Sequence, residues 1–333
     1  MIAEILLPPV GLRAPRTVRA GLIAMRIPHT TCAVIATIQV MPSVRHSSTM
    51  CLLPAKQSVA DADVICLPDG KYFNKRLAAP NVWEIGIDEA LVDEAAQIFY
   101  DSGSFEKLTH MREPYMDIDS SVGTFFAQRV TWDSNIAWVS VDDRASFDAF
   151  ESIFSRMQLP AKFAAHVPHS QGLQLYSAFF VVRSWCSGHN WHTDYKAPVN
   201  TDALTLITPL RDFREIATFQ LAYRAQDNPE GPGTADSTPT RQEGGDDDVR
   251  RYVYKKGRAV VFGSDFLHST EPGQGHGSEV HAYLCFTFGT DQQERWPQIA
   301  RTLDTQSRVV VHPDGSMRLS KLGAHIQALL DAM

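Results

Sequence analysis

The sequence predicts a mainly β fold with flanking helices, built around a jelly-roll core. Three observations point there. From Leu173 onward, short runs of aromatic and β-branched residues recur with turn residues between them, the pattern of a sandwich or barrel. Two amphipathic helical stretches precede those runs. The composition is that of a globular chain, with 44% hydrophobic and 21% charged residues over 333 positions, long enough for one large domain or two ordinary ones.

Residues 1–60 differ in composition from the remainder of the chain. Arg13, Arg16, Arg19, Arg26, Arg45 and Lys56 face a single acid, Glu4, and hydroxylated residues are frequent. That composition is expected of an organelle transit peptide, mitochondrial or plastid, or of an unstructured extension on a cytoplasmic protein. Residues 61–333 are expected to form a single domain, its folded part beginning between Asp61 and Lys71. A first helix is predicted from Asp88, a good N-cap, to about Tyr100, with Ile87, Leu91, Ala95, Ile98 and Phe99 at helical spacing. Asn135 to Val141 alternates as a strand does. A second helix is predicted over Ser146 to Met157, with Phe147, Phe150, Phe154 and Met157 on one side and Pro160 soon after its end. Both helices are expected to buttress a sheet.

Strands are predicted at Leu173 to Trp185, Ala203 to Thr208, Thr218 to Tyr223, Tyr252 to Tyr254, Arg258 to Phe262 and His281 to Phe288. Residues 226–250 hold almost no large apolar side chain, several Gly and Pro, and the run Asp246-Asp247-Asp248. They predict a flexible insertion between two core strands, with a lid as the functional alternative. A hairpin is expected from Arg308 to Leu319, turning at Pro313-Asp314-Gly315-Ser316. A short helix comes after it, carrying Leu322, Ile326, Leu329, Leu330 and Met333 on its packed face.

A net charge of −7 argues against nucleic-acid binding, which rests on clustered Lys and Arg. The cluster Lys255-Lys256-Gly257-Arg258 is expected to be a solvated turn. Five cysteines (Cys32, Cys51, Cys66, Cys186 and Cys285) include no Cys-x-x-Cys pair, which fits a reducing compartment rather than a disulfide framework or zinc finger. The apolar stretch Cys32 to Met41 falls short of the roughly 20 residues a membrane span needs.

The chemistry-bearing stretch is Gly188-His189-Asn190-Trp191-His192-Thr193-Asp194-Tyr195. On extended backbone, His192 and Asp194 point to one face. They make two thirds of the two-histidine, one-carboxylate facial triad that holds ferrous iron with positions open to small molecules. The third candidate is His268, in Gly263-Ser264-Asp265-Phe266-Leu267-His268-Ser269-Thr270-Glu271-Pro272.

Together the two segments resemble the Fe(II)/2-oxoglutarate-dependent dioxygenase superfamily over roughly residues 170–290. In that family a His-x-Asp follows an early core strand. A distal histidine follows a Gly-x-(apolar)3-Phe strand and is often trailed by Glu-Pro. Here those parts are His192-Thr193-Asp194, Lys256-Gly257-Arg258-Ala259-Val260-Val261-Phe262, and His268 followed by Glu271-Pro272. The resemblance implies a double-stranded β-helix and Fe(II) on His192, Asp194 and His268. It also implies 2-oxoglutarate and O2 in the remaining positions, with succinate and carbon dioxide released. A carboxylate at Asp194 favours hydroxylation or a related oxidation over halogenation, because halogenating members usually have a small residue there.

The resemblance also calls for Arg or Lys at the start of the strand after the distal histidine, to bind the far carboxylate of 2-oxoglutarate. His281 stands there instead. A histidine is a full cation only if its pKa is raised, and it lacks the guanidinium fork. His281, Tyr283, Cys285 and Thr287 share one face of that strand. Three readings stay open: His281 and Tyr283 bind the carboxylate together, which we favour; Arg183 does so; or the protein does not use 2-oxoglutarate. Thr205 and Thr208 are further candidates for hydrogen bonds to the cosubstrate. His189 reads as a loop residue lining the entrance and His276 as solvated. Trp191 and Tyr195 read equally as pocket walls or as packing. The competing readings of the whole are a non-catalytic β-helix that binds a ligand or protein, and a metal enzyme of this fold without cosubstrate. The substrate class expected is a small molecule or peptide.

Overall fold

A computed structural model describes residues 74–76, 81–104, 107–108, 113–130, 134–213, 219–224, 249–264, 266–274 and 280–331. The N-terminal stretch 1–60, the start of the fold, His276 and most of the 226–250 insertion lie outside the described residues.

The first strands are β1 (Asn74–Arg76) and β2 (Val82–Gly86), followed by helix α1 (Glu89–Asp101). Next come β3 (Tyr115–Ser120), β4 (Gly123–Val130), β5 (Ser134–Val141), α2 (Arg144–Arg156) and a short α3 (Leu159–Phe163). The core strands are β6 (Leu173–Cys186), β7 (Ala203–Pro209), β8 (Leu221–Arg224), β9 (Val249–Tyr252) and β10 (Arg258–Phe262). They continue with β11 (His268–Thr270), β12 (Gly273–Gln274) and β13 (His281–Thr290). A one-turn 3-10 helix (Gln293–Arg295) leads into α4 (Trp296–Leu303), the hairpin β14 (Val309–Val311) and β15 (Met317–Leu319), and α5 (Lys321–Asp331).

The helices start where their caps dictate. The Asp88 carboxylate accepts from Ala90 N at 2.9 Å. Asp143 accepts from Ser146 N at 2.8 Å while the Ser146 hydroxyl approaches Asp143 N, a reciprocal capping box. Asp143 also accepts from Thr124 N at 2.8 Å, so the cap ties α2 to the start of β4. Gly123 makes this closeness feasible: its φ is +127°, and a Cβ there would sit 2.5 Å from Asp143 Oδ1.

The strands form a ten-stranded sheet in the order β1-β2-β10-β7-β13-β6-β5-β4-β3, with β12 on the end of β6. A three-stranded sheet, β11-β8-β9, stands apart from it. The chain passes between the sheets as it goes from β6 to the His192 segment, to β7, to β8 and β9, to β10, to β11 and to β13. Such alternation makes a double-stranded β-helix, the jelly roll expected from the sequence.

The large sheet is buried on both faces, and residue parity sorts the layers. On one face Phe180, Val182, Leu204, Leu206, Leu284 and Phe286 pack beneath α1, α2 and α3. Phe180 meets Phe99 at 5.0 Å and Phe150 at 5.4 Å between ring centroids. On the other face Phe179, Val260, Phe262, Tyr283 and Cys285 look toward Leu221, Tyr223 and Tyr252 of the small sheet.

Several elements depart from the expected ones. β2, β3 and β4 have no counterpart among the expected strands, because their mixed polarity gives no clean alternation. The strand expected at Tyr252 to Tyr254 is β9, shifted to start at Val249, and Tyr254 falls beyond its end. Arg250 and Arg251 lie in this strand of the small sheet, so its polarity hides it, and residues 249–250 of the expected insertion belong to it. Helix α5 uses only part of its expected face: Ile326 is buried, whereas Leu329 is 46% exposed. The Gly323 side of α5 abuts the hairpin, where a Cβ would lie 2.1 Å from Arg308 O. Lys256 of the basic cluster is not simply solvated, since its ammonium bonds Asp93 of α1 at 2.6 Å. Among the described residues no helix is long and apolar enough to cross a membrane.

Phe180 lies at the centre of the helix-facing layer and is 1% exposed. Phe180→Ala is expected to lower unfolding free energy by about 3–5 kcal/mol in urea titration.

Candidate metal centre and cavity

The site forms where the chain leaves β6. Residues 190–192 run antiparallel to the start of β11 and pair with it at His192 and His268. His192 N donates to His268 O and His268 N donates to His192 O, both at 3.0 Å. Directly opposed residues of an antiparallel pair put their side chains on the same side, and the two imidazole centroids are 4.5 Å apart. Asp194, two residues on, brings its carboxylate to the same place: Oδ1 is 3.6 Å from His192 Nε2 and 3.5 Å from His268 Nε2. Three potential ligand atoms lie within 4.8 Å of one another.

The second nitrogen of each ring fixes what the first can do. His192 Nδ1 is 2.7 Å from Asn190 O, and His268 Nδ1 is 2.9 Å from Phe266 O. A carbonyl only accepts, so both Nδ1 atoms carry the proton and both Nε2 atoms present lone pairs. Burial holds the His268 imidazole below its ordinary pKa, with Asp194 opposing and His192 reinforcing that effect. Two imidazole nitrogens and a carboxylate oxygen therefore converge, an arrangement that a metal cation satisfies. Nitrogen and oxygen donors of this type suit first-row divalent metals, and the two-histidine, one-carboxylate set is that of non-haem Fe(II) sites. The turn is held in place by Ser269, whose Oγ accepts from Asn190 N at 2.8 Å, so Ser269 positions the carbonyl that orients His192.

Beside this group a cavity of about 100 Å³ opens between the two sheets. Its large-sheet wall comes from alternate residues of four strands: Ile136 and Trp138 of β5, Phe179, Val181 and Arg183 of β6, Thr205 and Ile207 of β7, Tyr283 and Cys285 of β13. Of the expected cosubstrate residues, Arg183, Tyr283 and Thr205 share this cavity with His192, Asp194 and His268. His281 does not line it. Phe213 stacks on the His281 ring at 3.8 Å and Phe219 meets it edge-on at 4.7 Å. These two phenylalanines come from the connection between β7 and β8, which the strand pattern of β13 does not reveal.

Arg183 is half-buried, and among the described residues no carboxylate pairs with it. Burial lowers its pKa, yet a guanidinium remains charged. The Tyr283 hydroxyl donates to Phe219 O at 3.0 Å, and Thr205 Oγ1 is 3.2 Å from the buried Tyr195 hydroxyl. Thr208 donates to Arg258 O at 2.9 Å instead of reaching the cavity. Tyr195 packs in a cluster with Tyr176 and Trp296. Trp191 stacks with His189 at 5.2 Å beneath the Arg224 guanidinium. Sequence reasoning missed Trp138, Tyr254 and Gln306 as cavity residues. Trp138 lies at an inward position of an expected strand, so its parity was available. Gln306 comes after a helix in a polar stretch and carries no comparable signal.

No family model and no curated protein matches the sequence. Solved structures do resemble it in fold. The non-heme alpha ketoglutarate dependent epimerase SnoN from nogalamycin biosynthesis is 13% identical, covering 65% of this chain and 81% of its own, with a TM-score of 0.41. A Pseudomonas putida prolyl-4-hydroxylase is 12% identical over 64% of this chain and 95% of its own, with a TM-score of 0.39. The carbocyclase SnoK from the same biosynthesis is 11% identical over 63% and 79%, with a TM-score of 0.42.

Removing a ligand and removing a ligand's support are expected to differ in degree. Asp194→Ala should weaken Mn(II) binding, followed by electron paramagnetic resonance, by at least about 100-fold. Ser269→Ala should weaken it by roughly 10-fold.

Proposed function

We propose that the chain is an Fe(II)- and 2-oxoglutarate-dependent oxygenase that hydroxylates an organic substrate. The observation that carries this reading is the convergence of His192 Nε2, His268 Nε2 and Asp194 Oδ1 at the edge of a largely apolar cavity. When bound, Fe(II) and 2-oxoglutarate supply the activation of dioxygen. In balance, substrate C–H, O2 and 2-oxoglutarate become substrate C–OH, succinate and carbon dioxide.

The chain's own residues would hold and orient these reactants. His192, Asp194 and His268 would hold the Fe(II) ion, a ligand set that leaves coordination positions open to small molecules. Phe179, Val181, Ile207 and Leu221 make the cavity wall apolar, which excludes water and strengthens each polar contact inside.

The far carboxylate of 2-oxoglutarate falls to Arg183 in this reading. Arg183 is the permanent cation among the described cavity residues, and its fork suits a carboxylate. It lies directly across the β6–β13 pairing from His281. The cation thus stands one strand over from the place where the resemblance expects it. Tyr283, expected to anchor the carboxylate with His281, serves here as wall, since its hydroxyl is engaged by Phe219 O.

With Fe(II), O2 and 2-oxoglutarate, the protein is expected to form succinate slowly without substrate, and Asp194→Ala to form none. Full iron binding with no succinate from the parent protein would contradict the reading. Arg183→Gln should raise the Kd for 2-oxoglutarate by about 100-fold, as expected when the cationic partner of a buried carboxylate is removed, and leave Mn(II) affinity unchanged. His281→Phe should leave both unchanged.

A further inference from the structure

We infer that the end of the cavity between Trp138 and Gln306 is the substrate subsite. It is built for an uncharged, apolar group that carries one hydrogen-bond donor, a hydroxyl or an N–H. This rests on the oxygenase reading and adds to it the class of molecule oxidised.

The register of the sheet separates the cavity into two ends. On β6, Arg183 and Phe179 face inward four residues apart, about 13 Å along the strand. Gln306 belongs to the Phe179 end. The hydroxyls of Ser307 and Ser177 lie 2.7 Å apart, pinning the segment after α4 against β6 two residues from Phe179. The end of α4, just before that segment, abuts the chain just beyond Asp194, where Lys196 N donates to Thr302 Oγ1 at 3.0 Å. Trp138, on the adjoining β5, pairs with Val181 and is half-buried. A cosubstrate reaching from the metal ligands to Arg183 would take the Arg183 end and leave the Trp138–Gln306 side open beside the metal.

Two observations define what fits there. The first is a charge inventory. Among the described residues the lining holds one permanent cation, Arg183, and one carboxylate, Asp194. Cosubstrate and metal engage both, so an ammonium or carboxylate on the substrate's reacting part would be buried without a partner. Trp138 and Phe179 offer apolar surface instead. The second is an orphaned acceptor. Gln306 Oε1 is shielded from solvent and, among the described residues, receives no hydrogen bond, while Gln306 itself lines the cavity. Buried carbonyls are almost always paired, and a donor on the substrate would pair this one once the Gln306 side chain turns its amide toward the cavity.

The test uses four small probes on the full chain loaded with Mn(II) and 2-oxoglutarate: benzyl alcohol, benzyl methyl ether, benzoate and benzylammonium. Paramagnetic broadening of probe protons reports entry beside the ion, and titration gives the Kd. Benzyl alcohol is expected to enter and to bind about 10-fold more tightly than the ether, which lacks the donor. Benzoate and benzylammonium are expected to show no broadening. Gln306→Leu, checked for parental 2-oxoglutarate affinity, should erase the preference for alcohol over ether. Entry of a charged probe as readily as the alcohol, exclusion of all four probes, or a preference that survives Gln306→Leu would overturn the subsite. Binding of 2-oxoglutarate is measured first on the same sample. If the parent fails that step, the oxygenase reading falls and the subsite with it, whereas a wrong order of probes removes the subsite alone.

Discussion

Two main-chain hydrogen bonds of 3.0 Å between His192 and His268 join segments far apart in the chain. They extend the small sheet by one short run, and everything at the site depends on that pairing. Opposed residues of an antiparallel pair present their side chains together, so the two imidazoles meet without any further device. Asp194 then needs only its two-residue spacing to reach them. Each ring spends Nδ1 on a nearby carbonyl, and what remains is a set of acceptors facing one another. The backbone pairing thus holds three potential metal ligands together, which a bound cation would satisfy at once.

The rest of the fold keeps that arrangement rigid and dry. The large sheet carries an aromatic layer on each face, and residue parity decides which layer a side chain joins. Phe180 and Phe286 face the helices, while Phe179 and Cys285, each one position removed, face the cavity. Arg183 shares the inner face with Tyr254 and Tyr283, and among the described residues no carboxylate forms an ion pair with it.

Much of this was legible in the sequence. The strands from Leu173 onward, both helices and the shared face of His192 and Asp194 come from pattern and spacing, which are local properties of the chain, while the resemblance supplied His268 as their partner. What was not legible depends on packing between segments. The parity of β13 puts His281 on the inner side, but only the fold shows Phe213 and Phe219 closing over it. Arg183 stands out as a candidate, yet its cross-strand position opposite His281 is a matter of register between strands distant in sequence. β9 is displaced because Arg250 and Arg251 mask its period, and Gln306 reaches the cavity through a segment with no periodic signal at all.

The most direct measurement is an anaerobic optical titration of the protein with Fe(II) and then 2-oxoglutarate. A weak visible charge-transfer band is expected that saturates at one iron and one 2-oxoglutarate per chain and is absent in His268→Ala. A parent protein that binds both yet shows no such band, or a His268→Ala variant that keeps it, would contradict a metal centre built on these three residues.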